Sequence, residues 1–410
     1  MHTSFGSVYL DRYGNNWSHT VLSQFLPLAQ QHGLHYGNCL CVPVFDEIQA
    51  LDLIWQATLA PLSLKAGKPN LVIILGNYPE TATKKQIQTT RQSLAQLSQT
   101  YDCLFKLEGF AGQLLMANKL HFLVLHAPAP LPVDQGVGLA RKMLVDIAVG
   151  LVHQTMVQNP WIGTTDADAR VPNDYWQRLE SIDQPAGLGV FPYLHLSVDE
   201  NQDIKLIQAH TIYEAYLRQY QQALSLAMPE YAFATLGSLY VIHAHTYEKV
   251  RGYPPKAAGE DFYLLNKIVK IAKAFEMKGK PIVLDIRASN RTPFGTGPSV
   301  QALMDSLDMN QVPLFYQPEV LRHWQVALQS VRAQSVQGIL ENKGRLSHIP
   351  AQLQAKLHTQ YLQCKTERQR HHAMITLMDG LRCQQLLRQL HEGREKLGYT
   401  YHLQLIQKNT

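Results

Sequence analysis

Two aspartates one residue apart, Asp166 and Asp168, are well suited to bind a metal ion. They follow Trp161 to Thr165, an apolar and β-branched run that predicts the end of a buried strand. Carboxylate oxygens suit Mg²⁺ and Mn²⁺, which share their coordination shell with water and substrate phosphates. Two solvated turn residues would give the same D-x-D triplet. Its position favours a ligand site, because open α/β sheets bind ligands at the carboxyl ends of their strands.

A second acidic pair, Glu260 and Asp261, follows Gly259 in the sequence AAGEDFYLL. This pattern predicts a helix that begins at the glycine, and a helix dipole stabilises acids in its first turn. That stabilisation alone would account for the pair. The functional alternative is that one carboxylate acts as a general base and removes a proton from an attacking hydroxyl.

Five further polar residues lie where predicted strands or helices begin or end. Glu47 ends the strand VPVFDE and could contact a ribose or base, although a plain strand terminator has the same form. Asn77 follows the apolar strand NLVIIL and could read a uracil or guanine edge. In GVGLARK, Arg141 could meet a phosphate or base; the third glycine of a dinucleotide fingerprint is missing, and helix capping is an equal alternative. Arg287 and Arg291 lie in a loop that could fold over a diphosphate or form a surface turn.

The elements that would position these residues alternate between strands and helices. The strands are so apolar that both faces must be covered, which predicts a parallel α/β layer. Strands are expected at 35–47, 70–75, 120–126 and 161–165, and helices at 48–64, 83–99 and 136–157. Further along, residues 187–207 suggest a hairpin that turns at 199–201, residues 260–275 a helix, and the chain beyond 300 is helical.

The composition is that of an ordinary soluble protein, with 46% apolar and 17% charged residues among 410. No apolar run reaches the length of a membrane span, and the N-terminus lacks the pattern of a secretory signal. The five cysteines show neither zinc-ligand spacing nor an even disulfide framework. We therefore expect a cytoplasmic protein.

The net charge of +5 is unevenly distributed. Residues 301–410 hold 13 Lys and Arg against 8 Asp and Glu, so residues 1–300 are balanced. A balanced core argues against nucleic acid as a partner. The basic C-terminal helices suggest peripheral contact with an anionic surface, which for a cytoplasmic protein is the inner face of the membrane.

Together these residues resemble a family-two glycosyltransferase with the glycosyltransferase-A fold. The matching stretches occur in order between residues 35 and 295, and they are VPVFDE, GVGLARK, TTDAD, GSLYVIHAHTYEKVRGYP and GED. The resemblance implies a Rossmann-like mixed α/β sheet flanked by helices, in a catalytic domain over 35–300. The rest of the chain lies outside the resemblance, and there we expect an N-terminal segment over 1–34 packed on the core and a mainly α-helical C-terminal extension over 301–410.

The resemblance also implies an activity, which is transfer of a sugar from a nucleoside-diphosphate sugar to an acceptor hydroxyl. The acceptor would be a glycan, a lipid-linked molecule or a small molecule, the cofactor Mg²⁺ or Mn²⁺, and the outcome inversion at the anomeric carbon. The same metal turn also serves retaining enzymes. Asn77 departs from the family, where an aspartate is common. The implied roles are metal binding for Asp168, metal or ribose binding for Asp166, general base for Asp261 with support from Glu260, and nucleotide binding for Pro43, Glu47, Asn77 and Arg141.

Two other functions fit part of the pattern. Metal-dependent nucleotidyltransferases also hold Mg²⁺ on phosphates with acids at strand ends, but they usually carry a glycine- and lysine-rich loop near the first strand, which VPVFDE does not supply. A non-catalytic nucleotide-sugar-binding or assembly protein is the second alternative. The joint presence of Asp166, Asp168 and Asp261 argues against it.

Overall fold

The computed structural model describes residues 5–47, 67–109, 112–196, 203–237, 239–286, 295–333 and 349–409. The chain forms two compact units, one of residues 1–196 with 235–285 and the other of residues 197–234 with 286–410. The helix predicted at 48–64 and the two arginines Arg287 and Arg291 lie outside the described residues.

The first unit contains the strands. In chain order they are β1 (Cys39–Val44), β2 (Asn70–Gly76), β3 (Asp102–Leu107), β4 (Gly112–Ala117), β5 (Leu120–His126), β6 (Trp161–Thr164), β7 (Ala169–Arg170), β8 (Leu188–Val190), β9 (Tyr193–Leu196), β10 (Tyr240–His243), β11 (Ala274–Glu276) and β12 (Ile282–Asp285). Nine of them form one mixed sheet in the order β11-β8-β10-β6-β1-β2-β5-β4-β3, and β7-β12-β9 form a smaller sheet.

Four parallel strands, β6, β1, β2 and β5, lie at the centre of the large sheet. β1 and β2 are buried along their whole length, which explains their uninterrupted apolar sequences. Their register aligns Val44 with Gly76 and Gly76 with His126, so these strands end at one common edge. The residues that follow the strands, including the acidic turn after β6, therefore lie along that edge.

Helices occur in both units of the described chain. In chain order they are α1 (Val8–Tyr13), α2 (Asn16–Gln31), α3 (Lys84–Thr100), α4 (Gly136–His153), α5 (Tyr175–Glu180), α6 (Ile204–Ser225), α7 (Ala244–Lys249), α8 (Glu260–Ile268), α9 (Thr296–Asp305), α10 (Pro318–Arg332), α11 (Ala351–Gln363), α12 (Glu367–Leu377), α13 (Gly380–His391) and α14 (Tyr399–Asn409). None of them combines the length and apolar character that a membrane crossing needs.

Helix α4 is the central helix of the first unit and packs on β1, β2 and β6. It carries one fully buried acid, Asp146. The Asp146 carboxylate accepts hydrogen bonds from Tyr9 Oη at 2.7 Å, the Asn15 backbone nitrogen at 2.8 Å and Lys142 Nζ at 3.0 Å. These bonds attach the N-terminal helices to α4, because a buried carboxylate must be fully hydrogen-bonded to be tolerated.

The second unit is helical in its described part. Its core joins α6 to segments from the end of the chain, and the buried residues are Leu206, Ala209, Ile212, Tyr213, Ile286, Val300, Leu303, Met309 and Phe315. The prediction of an α/β protein with a mixed sheet flanked by helices and a helical C-terminal part is confirmed.

Two local predictions are wrong. Residues 204–207 begin helix α6 instead of pairing with the strand before them, because the Asp203 side chain caps the helix by accepting from Lys205 N at 2.9 Å. The predicted turn at 199–201 lies outside the described residues. The helix predicted over 260–275 ends at Ile268, and residues 274–276 form β11 beside β8.

Candidate active site

The acidic turn follows β6 at the carboxyl edge of the parallel strands. β6 pairs with β1, with Thr164 opposite Cys41. The turn is closed by a hydrogen bond from Ala169 N to Asp166 O at 3.1 Å. Ala169 is buried, whereas Asp166 and Asp168 are half-buried, so both carboxylates lie at the boundary between protein and solvent. Two hard oxygen ligands are therefore accessible at one turn.

Arg141 joins this turn to the start of helix α8. Its Nη2 donates to Asp166 Oδ1, its Nε donates to Glu260 Oε1 at 3.0 Å, and its Nη1 donates to the Gly237 carbonyl at 3.2 Å. The side chain is 3% exposed. One buried guanidinium thus holds acids that are almost 100 residues apart in the sequence, and its own nitrogens are occupied by protein groups.

The backbone around Gly138 explains how α4 and α8 come together. Gly138 N donates to Lys256 O, and Ala257 N donates to Asp134 O, each at 3.0 Å. A Cβ on Gly138 would lie 2.5 Å from Lys256 O, so only glycine permits this approach. The close contact that GVGLARK allows is therefore with the loop before Glu260. Gly259, at φ +70°, then begins helix α8 in the left-handed region that glycine favours.

The charges in this cluster oppose one another. Burial disfavours the charge of Arg141, yet Asp166, two neighbouring tyrosines and Glu260 together raise its pKa well above the usual value. Burial raises the pKa of Glu260, while its ion pair with Arg141 acts in the opposite direction. The guanidinium therefore stays charged, because the acids on either side of it compensate for its burial.

Asp261 lies beside this ion-pair cluster. Burial and the negative charge of Glu260 raise the pKa of Asp261 to about 7, against a hydrogen bond from Phe262 N at 2.6 Å that favours its ionised form. Taken as a whole, the residue is half-buried. A carboxylate with a pKa near neutral accepts a proton much more readily than an ordinary aspartate, as a general base must.

The carboxylates of the acidic turn could hold a divalent ion only if substrate oxygens and water supplied its remaining ligands. Within the described ranges, no three His, Cys, Asp or Glu side chains converge to hold a metal ion. Asp166 forms an ion pair with Arg141, and Asp168 is the second carboxylate of the same turn. Mg²⁺ and Mn²⁺ accept such sites, because one or two carboxylates, water and phosphate oxygens complete their shell.

The other predicted nucleotide-binding residues lie at the ends of β1 and β2. Pro43 is buried inside β1, and Glu47 lies just beyond its end at 8% exposure. The Asn77 amide nitrogen donates to the carbonyls of Val44 and Leu75, each at 3.2 Å. Asn77 thus joins the two strand ends, and contact with a base would use its carbonyl oxygen.

Several residues around Arg141 were not predicted from the sequence. Thr164 Oγ1 donates to the Gly237 carbonyl at 3.2 Å, and the hydroxyls of Tyr240 and Tyr253 are 2.7 Å apart. A signal for the cluster was present in α4. Arg141 lies within a helix whose central residues are otherwise largely apolar, and a charge at such a position must be paired.

Comparisons with known proteins give weak similarities. No family model and no curated protein matches the chain by sequence. One similar structure is Staphylococcus aureus TarS 1–349 with UDP-GlcNAc, at 10% identity and a TM-score of 0.38, covering 87% of this chain and 92% of that one. Another is the mannosyltransferase PcManGT from Pyrobaculum calidifontis with GDP-Man and Mn²⁺, at 12% identity and a TM-score of 0.37, covering 88% of this chain and 94% of that one. A third is GalNAc-T7 with UDP, GalNAc and Mn²⁺, at 11% identity and a TM-score of 0.37, covering 82% of this chain and 55% of that one. At these values the function has to be argued from the site itself.

Proposed function

We propose that the protein is a glycosyltransferase that moves a sugar from a nucleoside-diphosphate sugar to an acceptor hydroxyl. The observation that carries the proposal is the double ion pair of Arg141, which joins the acidic turn to the first turn of α8. A metal-binding turn and a carboxylate with a pKa near 7 then belong to one site at the carboxyl edge of the sheet. Phosphate binding and proton removal are the two tasks of this reaction.

Asp261 is the proposed general base. An acceptor hydroxyl is a weak nucleophile near neutral pH, so its proton must leave as its oxygen bonds to the anomeric carbon. The bond from that carbon to the diphosphate breaks with its electron pair on the leaving group. Attack from the face opposite the diphosphate inverts the anomeric centre. Glu260 supports the base by holding a negative charge beside it, which keeps the proton affinity of Asp261 high.

Arg141 is a positioning residue in this proposal, since its nitrogens bind Asp166, Glu260 and Gly237. Asp168, with Asp166 beside it, would hold Mg²⁺ or Mn²⁺. When bound, the ion would supply positive charge to the departing diphosphate. Because the protein offers few ligands, we propose that the ion and the nucleotide bind together.

The test is to incubate the full chain with UDP- and GDP-sugars, Mn²⁺ and a panel of glycan acceptors. Release of nucleoside diphosphate with formation of a glycoside supports the proposal. Asp168→Ala and Asp261→Asn should each abolish transfer while the protein stays folded, and Asp102→Asn, at an exposed position, should not.

Three results would change the assignment. Near-normal turnover by Asp168→Ala or Asp261→Asn would remove the proposed roles. Release of pyrophosphate from a nucleoside triphosphate would favour a nucleotidyltransferase. Binding of UDP or GDP in calorimetry, without product from any acceptor, would favour a non-catalytic binder.

A further inference from the structure

Arg170 is the second residue of β7 and comes two residues after Asp168. It pairs with Val283 of β12, and Ala169 pairs with Leu284. Neighbouring residues of a strand point to opposite faces of a sheet. Because Ala169 is fully buried, the half-buried Arg170 side chain lies on the other face, as part of the segment that carries the acidic turn.

The Arg170 guanidinium has an unpaired edge. Its Nε and Nη2 atoms are buried, and neither makes a hydrogen bond to the protein in the part of the chain that the structure describes. These two nitrogens form the side of the guanidinium whose N–H groups point in parallel, the arrangement that matches two oxygens of a phosphate or carboxylate. A guanidinium stays charged, and buried donors without partners are unfavourable.

The buried arginines Arg141 and Arg178 of this unit have protein partners on both Nη atoms, although Arg178 Nε also lacks one. Arg178 donates to Lys280 O at 2.7 Å and to Met277 O at 3.1 Å, and its guanidinium lies 4.5 Å from the centre of the Phe191 ring. Arg141 is held by two carboxylates and a carbonyl. Arg170 forms no ion pair with Asp168, although that acid is only two residues away. A purely structural role therefore does not account for Arg170.

We propose that the Nε–Nη2 edge of Arg170 binds an oxyanion of the substrate. The oxyanion is a phosphate of the donor or an acidic group of the acceptor. This inference rests on the proposed function, because it places Arg170 in the same site as Asp168. The substrate would supply the two acceptors that the protein lacks, and the charge of Arg170 would complement the negative charge of the group it binds.

The experiment compares the wild-type full chain with two variants. Arg170→Met removes the charge but keeps the side-chain length. Arg170→Lys keeps the charge but cannot donate two parallel hydrogen bonds. Arg12→Met, at an exposed position, is the control. Thermal unfolding is measured with and without inorganic phosphate, and UDP and GDP binding with Mn²⁺ is measured by calorimetry. Without ligand, Arg170→Met should melt about 2–4 °C higher than wild type, since an unpaired buried charge is removed.

With ligand, phosphate should raise the melting temperature of wild type and Arg12→Met but not of Arg170→Met. If the oxyanion belongs to the donor, the affinity for UDP or GDP should fall about ten- to a hundredfold in Arg170→Met, and less in Arg170→Lys. If the oxyanion belongs to the acceptor, Arg170→Met should lose the rise in melting temperature with phosphate but keep the wild-type affinity for UDP and GDP. Arg170→Lys decides the question if Arg170→Met does not fold.

The proposal is overturned if folded Arg170 variants respond to phosphate and bind nucleotide as wild type does, or if wild type responds to neither. Failure of the proposed function gives a different result. In that case, phosphate still distinguishes the Arg170 variants from wild type, but no nucleoside diphosphate binds and no glycoside forms.

Discussion

The charge state of Asp261 is set by its surroundings, since burial and Glu260 both disfavour ionisation. Arg141 offsets part of this effect, but its nitrogens bind Asp166 and Glu260 and not Asp261. The pKa of both acids is raised, but the Glu260 carboxylate is paired with Arg141, whereas the pKa of Asp261 reaches about 7. This division between two adjacent acids is what distinguishes a base from an acid that supports it.

The first prediction is a pH dependence of the proposed transfer. A base with a pKa of about 7 must lose its proton to act, so kcat/KM should fall as the pH drops through 7. At pH 6 the rate should be about tenfold below its plateau above pH 8. The pH profile of kcat/KM with saturating Mn²⁺ measures this. A flat profile between pH 5.5 and about 8 would remove Asp261 as the base.

The second prediction concerns stability. A carboxyl whose pKa is raised on folding binds its proton more tightly in the folded state, so it costs stability at every pH above its unfolded value of 3.8. The cost grows up to pH 7 and is constant above it. Asp261→Asn keeps an oxygen for the hydrogen bond from Phe262 N and removes the charge. It should raise the free energy of unfolding by about 1–3 kcal/mol at pH 8, with little gain at pH 4.

Denaturant unfolding of wild type, Asp261→Asn and Asp102→Asn at both pH values checks this. Asp102 is exposed, so its substitution should give no pH-dependent gain. An inactive but stabilised Asp261→Asn is the combination that a functional acid produces. Equal destabilisation at both pH values would instead indicate that Asp261 has a structural role.

At the scale of elements, the site depends on where α4 meets the loop before α8. Gly138 lies against the backbone of Pro254 and Lys256, and Arg141 lies one turn further along the same helix. Backbone atoms cannot move aside as a flexible side chain can. The distance between α4 and this loop therefore determines whether Arg141 reaches Glu260.

The third prediction is that Gly138→Ala disrupts the site without removing any polar group. The added methyl would lie 2.5–2.7 Å from three backbone atoms, so the loop must move. We expect a loss of about 1–3 kcal/mol in the free energy of unfolding. We also expect a decrease of about ten- to a hundredfold in kcat/KM, because small displacements misalign a catalytic base.

Gly37→Ala is the matched control, since the atom nearest to its Cβ would be Asn70 Oδ1 at 3.3 Å, and the next neighbours would lie at 4.0 Å. It should retain near-normal activity. Thermal unfolding and steady-state kinetics of both variants distinguish the two positions. A Gly138→Ala protein with wild-type kinetics would show that the helix–loop distance does not control the site.

Elements with uninterrupted apolar sequences were predictable and others were not. β1 and β2 are buried on both faces, so their sequences identify them without knowledge of their neighbours. The hairpin of β3 and β4 was not predicted, because much of β3 is exposed and its sequence DCLFKL has little periodicity. The start of α6 was misread because its apolar residues alternate, although Asp203 supplied a helix cap.

At the scale of the whole molecule, the sequence indicates which segments are helical but not which segments share a core. α6 follows the strands β8 and β9 in the chain, yet its buried side packs with residues beyond 286. Similarly, the contact of Asp166 and Glu260 through Arg141 involves three distant segments. Each segment has an adequate local explanation, so no single sequence window predicts their association.

The composition of this core affects how the basic C-terminal region can be studied. A chain ending near residue 306 would lose Met309 and Phe315 from the core and uncover part of the apolar side of α6. Such a fragment would expose apolar surface for reasons unrelated to membrane contact. Liposome binding is better tested by substituting exposed cations such as Arg388 in the full chain.

The fourth prediction is that Phe315→Ala strongly destabilises the second unit. Phe315 is fully buried, its ring lies 4.3 Å from that of His402 and 6.2 Å from that of Tyr216, and its backbone nitrogen donates to Leu397 O at 2.9 Å. Removing a buried phenyl ring leaves a cavity that costs about 3–5 kcal/mol. Leu307→Ala, at a fully exposed position, should cost almost nothing. Calorimetry of the full-length variants measures both effects, and equal melting profiles would mean that the C-terminal region does not stabilise α6.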